Sequence, residues 1–280
     1  MRLLLTGARG ALARQIYEKL SSDHQIISVS SDRINESSFL YSEILSSNLT
    51  VDYVLHCGFP RNNNVSELNN FLLFNREFSI WSLSHVRRGF INISSQSVYG
   101  DERDSIADEF SALSPQNPYA LAKLKSELIV KSYLHHNIPY TNIRLGSLIG
   151  PSYKQRFIYK LIDKTILQET ISITEKGNKF SFLDIRDAAA AISLLLNKEQ
   201  LWEPVFNIGS RHIYSITDIY TEIVSALGIK NKLNVVVQSD TPTLPYINCI
   251  NSSLFSNKFN WKDEISLAES IQIIKDNLHD

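Results

Sequence analysis

The 280-residue chain has little cysteine, no basic excess and no long apolar run. Its two cysteines, Cys57 and Cys249, lie far apart and follow no metal-ligand or redox spacing. They read as reduced thiols of a cytosolic protein, with no metal to hold. A formal net charge of −1 leaves no basic surplus to meet a phosphate backbone, so no nucleic-acid partner is expected. The first apolar run, Leu3 to Leu5, is cut by Thr6 and Gly7, too short for a signal-peptide core. Nothing later approaches a membrane-spanning length, so a soluble, cytoplasmic protein without a membrane partner is expected. Repeats and low-complexity segments are absent as well.

What is present is an ordinary globular composition, 43% hydrophobic, in a chain long enough for one large domain or two interlocked ones. The first half alternates short apolar runs with helical periods. Leu3–Thr6, Gln25–Ser30, Val51–His56, Phe90–Ser94 and Tyr140–Leu145 read as strands. Leu12–Leu20, a stretch within Ser66–Val86, and Pro118–His136 read as helices. Parallel neighbours need a crossover and helices supply it, so the expected fold is α/β, a Rossmann-like doubly wound parallel sheet. Ligands of such a sheet gather at the carboxyl ends of its strands. After Gly150-Pro151 come a helix at Phe157–Leu167, an extended Ile171–Thr174, a helix at Ala188–Leu196, a core strand at Val205–Ile208, a helix at Thr217–Leu227 and a last helix. The expected division is a dinucleotide-binding unit over 1–150, joined by 186–210, and a smaller discontinuous unit over 151–185 and 211–280 that caps the strand ends.

The stretch TGARGALA, Thr6 to Ala13, follows the first strand directly. Glycines there let backbone approach a pyrophosphate, and the next helix offers free N–H groups and a partial positive charge. Gly7 and Gly10 are placed for this, with Ala11 and Leu12 opening the helix. Ala13 stands where a third glycine would allow close helix–sheet contact. Cys57 and Gly58, at the end of the strand ending in His56, are expected to border the same ligand. The second group is ISSQSVYG (Ile93–Gly100) followed by NPYALAKLKSE (Asn117–Glu127). Tyr119 and Lys123 are four residues apart and share one face of a helix. A phenol titrates near 10 unperturbed, too high for acid–base work at neutral pH; a neighbouring ammonium lowers it. Ser95 ends the preceding strand and could hold a substrate oxygen beside the tyrosine. By itself Tyr-x-x-x-Lys also arises by chance in surface helices.

The order of the loop, SSQSVYG, PYALAK, IRLGSLIGP (Ile143–Pro151), FSFLDIRDAAAAI (Phe180–Ile192) and the NIGS stretch at Asn207–Ser210 resembles the extended short-chain dehydrogenase/reductase family. The likeness runs over essentially the whole chain and is to the nucleotide-sugar epimerase and dehydratase kind. It implies an NAD- or NADP-binding domain and a C-terminal substrate domain. By the same match Tyr119 moves the proton, Lys123 lowers the tyrosine's pKa and binds the nicotinamide ribose, and Ser95 orients the reacting oxygen. Asp187 falls on an acidic position where a structural role is expected.

NAD-preferring sites usually end the second strand with an acid for the ribose 2′-hydroxyl; here Ser30 stands there, with Asp32 two places on. Arg9 and Arg33 frame that region, and a guanidinium suits a 2′-phosphate, so NADP is expected, with NAD the alternative. Dehydratases of the family carry an Asp-Glu pair where this chain has Gln96 and Ser97, neither an acid. The expected activity is therefore reduction of a 4-keto group on a nucleotide-linked deoxysugar, in deoxysugar or surface-polysaccharide synthesis. The alternatives are an NAD-dependent nucleotide-sugar epimerase and a catalytically silent dinucleotide-binding regulator. The family often has an arginine at the place of Phe180 to pair with the substrate pyrophosphate, and an asparagine at the place of Ser147. Lys179 would face the wrong way on a strand, so Arg156 or Arg211, with Ser97 and Ser147, is expected to contact substrate. Helix faces around Trp81 and Leu121–Leu128 are expected to form a homodimer interface.

Overall fold

The computed structural model describes residues 1–36, 38–60, 64–100, 103–153, 157–169, 171–174, 177–229, 235–238 and 245–277. In chain order its first elements are β1 (Arg2–Thr6), α1 (Ala11–Leu20), β2 (Gln25–Ser30), β3 (Phe39–Leu40), α2 (Tyr41–Ile44), β4 (Val51–His56), α3 (Val65–His85), β5 (Val86–Ser95), α4 (Pro118–Leu134) and β6 (Tyr140–Leu145). Then follow β7 (Leu148–Ile149), α5 (Phe157–Ile166), β8 (Ile171–Thr174), β9 (Lys179–Phe180), β10 (Leu183–Asp184), α6 (Ile185–Ser193) and β11 (Val205–Ile208). Last are α7 (Ile216–Leu227), β12 (Val235–Gln238), β13 (Ile247–Asn248), α8 (Ser253–Phe259) and α9 (Leu267–Asp276).

Seven strands form the main sheet in the order β11-β6-β5-β4-β1-β2-β3, with parallel pairing throughout. This is the Rossmann-like doubly wound arrangement. Its apolar runs are continuous because both faces are covered. Leu3 and Leu5 of β1 enter one cluster with α1 and α6, whereas Leu4 enters the opposite cluster with Phe78, Trp81 and Val130 of α3 and α4. In α6, Ala188, Ala189 and Ala191 are buried, and their small side chains let that helix pack close to α1.

The ends of the helices follow local chemistry. Asn117 accepts from the Ala120 N–H at 2.9 Å and Pro118 opens α4 in the position where a missing N–H costs nothing. That helix stops at Leu134 rather than His136, which adopts a left-handed φ of 72°. Asp184 caps α6 by accepting from the Arg186 N–H, so the helix begins at Ile185, before the expected Ala188.

A separate cluster joins α5, α7 and α9 through Ile158, Ile162, Phe180, Ile219, Ile223, Ile271 and Ile274. Around it lie the two-stranded pairings β10–β7, β12–β8 and β13–β9, all parallel. Phe255 and Phe259 of α8 pack on Phe206 in the main sheet's cluster, and Trp261 packs on Phe255 there. Among the described residues, no helix is long and apolar enough to cross a membrane.

Candidate active site

The carboxyl ends of β1, β4, β5 and β6 open onto one trough. At the end of β1, Gly7 has φ +68°, and a Cβ there would stand 2.7 Å from the Gly58 Cα, so the loops after β1 and β4 touch through bare backbone. The Gly10 N–H closes the turn on the Gly7 carbonyl at 2.7 Å. Gly10 caps α1 with no side-chain hydrogen bond, which leaves the helix's first N–H groups facing the trough. Leu12 and Ala13 are buried against the sheet. This cradle fits a pyrophosphate: close backbone approach, open amides and the positive helix end coincide.

Two cavities meet over the cradle. One, of about 380 Å³, is bordered by Gly7, Gly10, Ala11, Leu12, Cys57, Ser95, Gln96, Ser97, Tyr119, Lys123 and Ser147 among others. The other, of about 560 Å³, has Arg9, Ser30, Ser31, Tyr41, Gly58 and Phe71 in its wall. They share Gly7, Gly10, Cys57 and Phe59, so they run together across the start of α1.

Tyr119 is the second residue of α4 and is half-buried, its ring edge-on to Phe59 at a centroid distance of 4.9 Å. Lys123, one turn on, is 4% exposed. Its Nζ donates to the Ile93 carbonyl at 2.8 Å and lies 4.4 Å from the Phe59 ring centroid and 6.0 Å from that of Tyr119. Burial lowers the Lys123 pKa to about 8, opposed by the nearby Cys57 and Glu127. Burial also pushes the Cys57 thiol up to about 12, so it is no thiolate at neutral pH. Ser95 ends β5, and its Oγ accepts from the Ser97 N–H at 3.2 Å and meets Ser97 Oγ at 3.0 Å. The structure thus brings Ser95, Ser97, Tyr119, Lys123 and Ser147 to one cavity.

Two buried polar networks stand behind these groups. In one, Arg144 of β6 donates to both Glu127 oxygens, at 3.0 and 2.7 Å, and to the Tyr99 hydroxyl at 2.8 Å. The Tyr99 hydroxyl in turn donates to Asn207 Oδ1 at 2.9 Å, and Ser94 Oγ donates to Glu127. In the other, His56, protonated on Nε2, donates to Asn75 Oδ1 and accepts from the Thr6 hydroxyl, each at 2.7 Å. The Gly58 N–H donates to Thr6 Oγ1 at 3.0 Å, which ties this network to the glycine loop. Burial lowers the His56 pKa to about 4, so the ring is neutral.

Three expected contacts resolve differently. Arg9 borders the larger cavity, but its guanidinium is ion-paired to Asp32 at 2.8 Å, and the Ser30 hydroxyl donates to the Asp32 carbonyl. Arg33 is drawn away: it donates to the Ser38 carbonyl at 2.9 Å and to Glu43, and it does not border the cavity. Arg211 lies outside both cavity walls and pairs with Asp263 at 3.6 Å, beside the Ser210–Asp263 hydrogen bond. Arg156 lies outside the described residues. Lys179 is exposed while Phe180 is buried, as alternation on β9 requires. Asp187 accepts from the Glu264 and Ile265 N–H groups and so ties α6 to the segment leading into α9.

The sequence motifs do not mark Phe59, Gln96, Tyr246 or Asn248 as binding residues, yet all four border the cavity that holds Ser95, Tyr119 and Lys123. Phe59 and Gln96 each sit one residue beyond Gly58 and Ser95, so the strand-end pattern extends to them. Tyr246 and Asn248 come from or beside the two-residue β13, for which no local pattern exists.

Comparison with known proteins gives a consistent picture. The model of the NAD dependent epimerase/dehydratase family matches residues 3–209. A low-salt glycan biosynthesis protein of Haloferax volcanii is 31% identical over 142 residues, 50% of this chain and 46% of that one. The human dTDP-D-glucose 4,6-dehydratase is 28% identical over 196 residues, 65% of this chain and 54% of that one. The chain thus spans about half the length of these curated relatives in the aligned regions. Among solved structures, the Bacillus cereus UDP-glucuronic acid 4-epimerase with UDP-glucuronic acid and NAD superposes with TM-score 0.82 at 21% identity over 99% of both chains. The UDP-N-acetylglucosamine 4-epimerase of the same organism gives 0.84 at 20% identity over 100% of both.

Proposed function

The chain belongs to the NAD dependent epimerase/dehydratase family, within the extended short-chain dehydrogenases/reductases, and from that premise we propose that it reduces a 4-keto group on a nucleotide-linked deoxysugar. The observation that carries the reading is the convergence of Ser95, Tyr119 and Lys123 on a cavity continuous with the glycine cradle. Gly7, Gly10 and the start of α1 would hold a nicotinamide dinucleotide, which would supply the hydride. Tyr119 donates its phenolic proton to the oxygen of the reduced carbon, and Ser95 holds that oxygen by a hydrogen bond. The Lys123 ammonium, fixed by the Ile93 carbonyl, favours the phenolate left behind and offers a donor to the cofactor ribose. Gln96 and Ser97 stand where a dehydratase needs acids, which argues against elimination.

NADP remains the proposed cofactor, through Arg9, which borders the cavity beside Ser30. The pairing of Arg9 with Asp32 and of Arg33 with Glu43 favours a second reading, an NAD-dependent 4-epimerase. One experiment separates them. UDP-4-keto-6-deoxy-D-glucose is offered with NADPH or NADH, and UDP-glucose with NAD. Reduction consumes one reduced cofactor per sugar, with the higher kcat/KM for NADPH. Inversion at C4 of UDP-glucose without net cofactor change establishes the epimerase instead, and inactivity in both arms overturns both.

A homodimer is also proposed, through α3 and α4. Trp81 is buried in the core, so the exposed apolar face is carried by Leu73, Ile80, Leu83, Leu121 and Leu128. Light scattering showing a monomer removes this proposal.

A further inference from the structure

Lys123 stands in the cavity wall as a buried cation, and a buried ammonium needs partners for its charge. It carries three N–H donors, and one of them goes to the Ile93 carbonyl at 2.8 Å. The titratable groups packed around it offer little more. His56 and Cys57, at the end of β4, are both uncharged at neutral pH, and Tyr119 on the same helix is a phenol. Glu127, one turn further along α4, favours the cation, but both its oxygens are taken up by Arg144 of β6.

What faces the ammonium instead is an aromatic ring. Phe59, three residues beyond β4, has its ring centroid 4.4 Å from Lys123 Nζ, well inside the distance at which a ring's negative face attracts a cation. The ring is held from two other sides: it meets Tyr119 edge-on at 4.9 Å and Phe71 of α3 at 4.7 Å. Phe71 in turn runs parallel to the His56 ring, with 6.2 Å between centroids. Phe59 also borders both cavities at the place where they run together. An aliphatic side chain at this position would fill much of the same space but present no negative face. Burial pulls the Lys123 pKa down to about 8, and the ring opposes that pull because its face attracts only the charged form. With one donor on the Ile93 carbonyl and the ring face against the charge, a donor is still left for a ligand.

We propose that Phe59 is a positioning residue for the acid–base pair, its ring face binding the Lys123 ammonium and fixing it beside Tyr119. The inference rests on the Tyr119–Lys123 chemistry put forward above and adds the group through which the lysine keeps its charge in a dry cavity.

The test replaces Phe59 with singly and triply fluorinated phenylalanine by site-specific incorporation, which keeps the ring's shape while draining its negative face. Lys123 is followed in the dinucleotide-free protein by the carbon-13 NMR shift of its Cε against pH, a signal assigned by its loss in Lys123→Met. The expected result is a titration midpoint that falls as fluorine is added, by about 0.5–1.5 pH units for the triply fluorinated ring. The alkaline limb of kcat/KM, in whichever of the two assays above shows turnover, should move down with it, while the thermal unfolding midpoint holds. A Lys123 midpoint unmoved by the triply fluorinated ring overturns the inference, as does a midpoint that falls while the alkaline limb stays in place. Unchanged turnover in Lys123→Met overturns the Tyr119–Lys123 reading itself, a separate outcome.

Discussion

The main sheet and the small unit handle buried polarity in opposite ways. Behind the sheet's strand ends, charged and amide groups are buried and satisfied: Glu127 with Arg144 and Tyr99, His56 with Thr6 and Asn75, Asn75 with Ser126, Asn92 with Asn142. The small unit's cluster is aliphatic and aromatic, and the Phe157–Phe180 stack at 5.7 Å lies at its open edge. Saturated networks permit few arrangements, because each lost partner strands another group in low dielectric. Apolar packing tolerates exchange of similar volumes. On the proposed reading, catalysis is thereby held on the rigid side, while the small unit's apolar wall is the part that can be rebuilt cheaply.

Four substitutions or conditions probe this contrast, in falling order of effect. Tyr119→Phe is expected to lower kcat by about 10²–10⁴-fold with dinucleotide affinity retained; an unchanged rate removes the phenol from the chemistry. Arg144→Met strands the Glu127 carboxylate and should cost about 3–5 kcal/mol in urea unfolding, with part recovered in the double variant Arg144→Met/Glu127→Leu. If the single variant is neutral, the sheet side is no more constrained than the small unit.

The third concerns acid. His56 has a folded pKa of about 4, below its unfolded value of roughly 6.5, so the unfolded chain binds the extra proton first. Its contribution is intact above pH 6.5 and is lost as pH falls toward 4, on the order of 3 kcal/mol. Urea titrations between those values measure the slope, and His56→Gln should flatten it. Least costly is Phe157→Ala, at a half-exposed position on the small unit's edge. Stability should change by about 1 kcal/mol or less, with KM for the sugar substrate raised and kcat little altered.

Much of the sheet was legible because strands covered on both faces leave unbroken apolar runs; β2, β4, β6 and β11 fall on the expected residues. Two-residue strands such as β9 and β13 carry no period to read, and they shape the substrate side. The glycine cradle and the Ser95, Tyr119 and Lys123 set were visible as local motifs. The fate of Arg9 and Arg33 was not, since their partners Asp32 and Glu43 are 23 and 10 residues away in sequence and come near only through the fold. The same holds for Asn248, placed opposite Gln96 by a chain separation of 152 residues.

The sheet's outermost strand on one side, β11, has a bearing on how the protein is made. During vectorial synthesis β6 leaves the ribosome with its far edge bare, and its partner β11 arrives only with Val205–Ile208. At about 5–20 residues per second, the interval from Leu145 to Val205 lasts roughly 3–12 s. Throughout it, the backbone groups of Asn142 to Leu145 are open to pairing with another nascent chain. Crowded polysomes and slow translation across residues 146–204 are therefore the conditions under which this protein should most depend on chaperones.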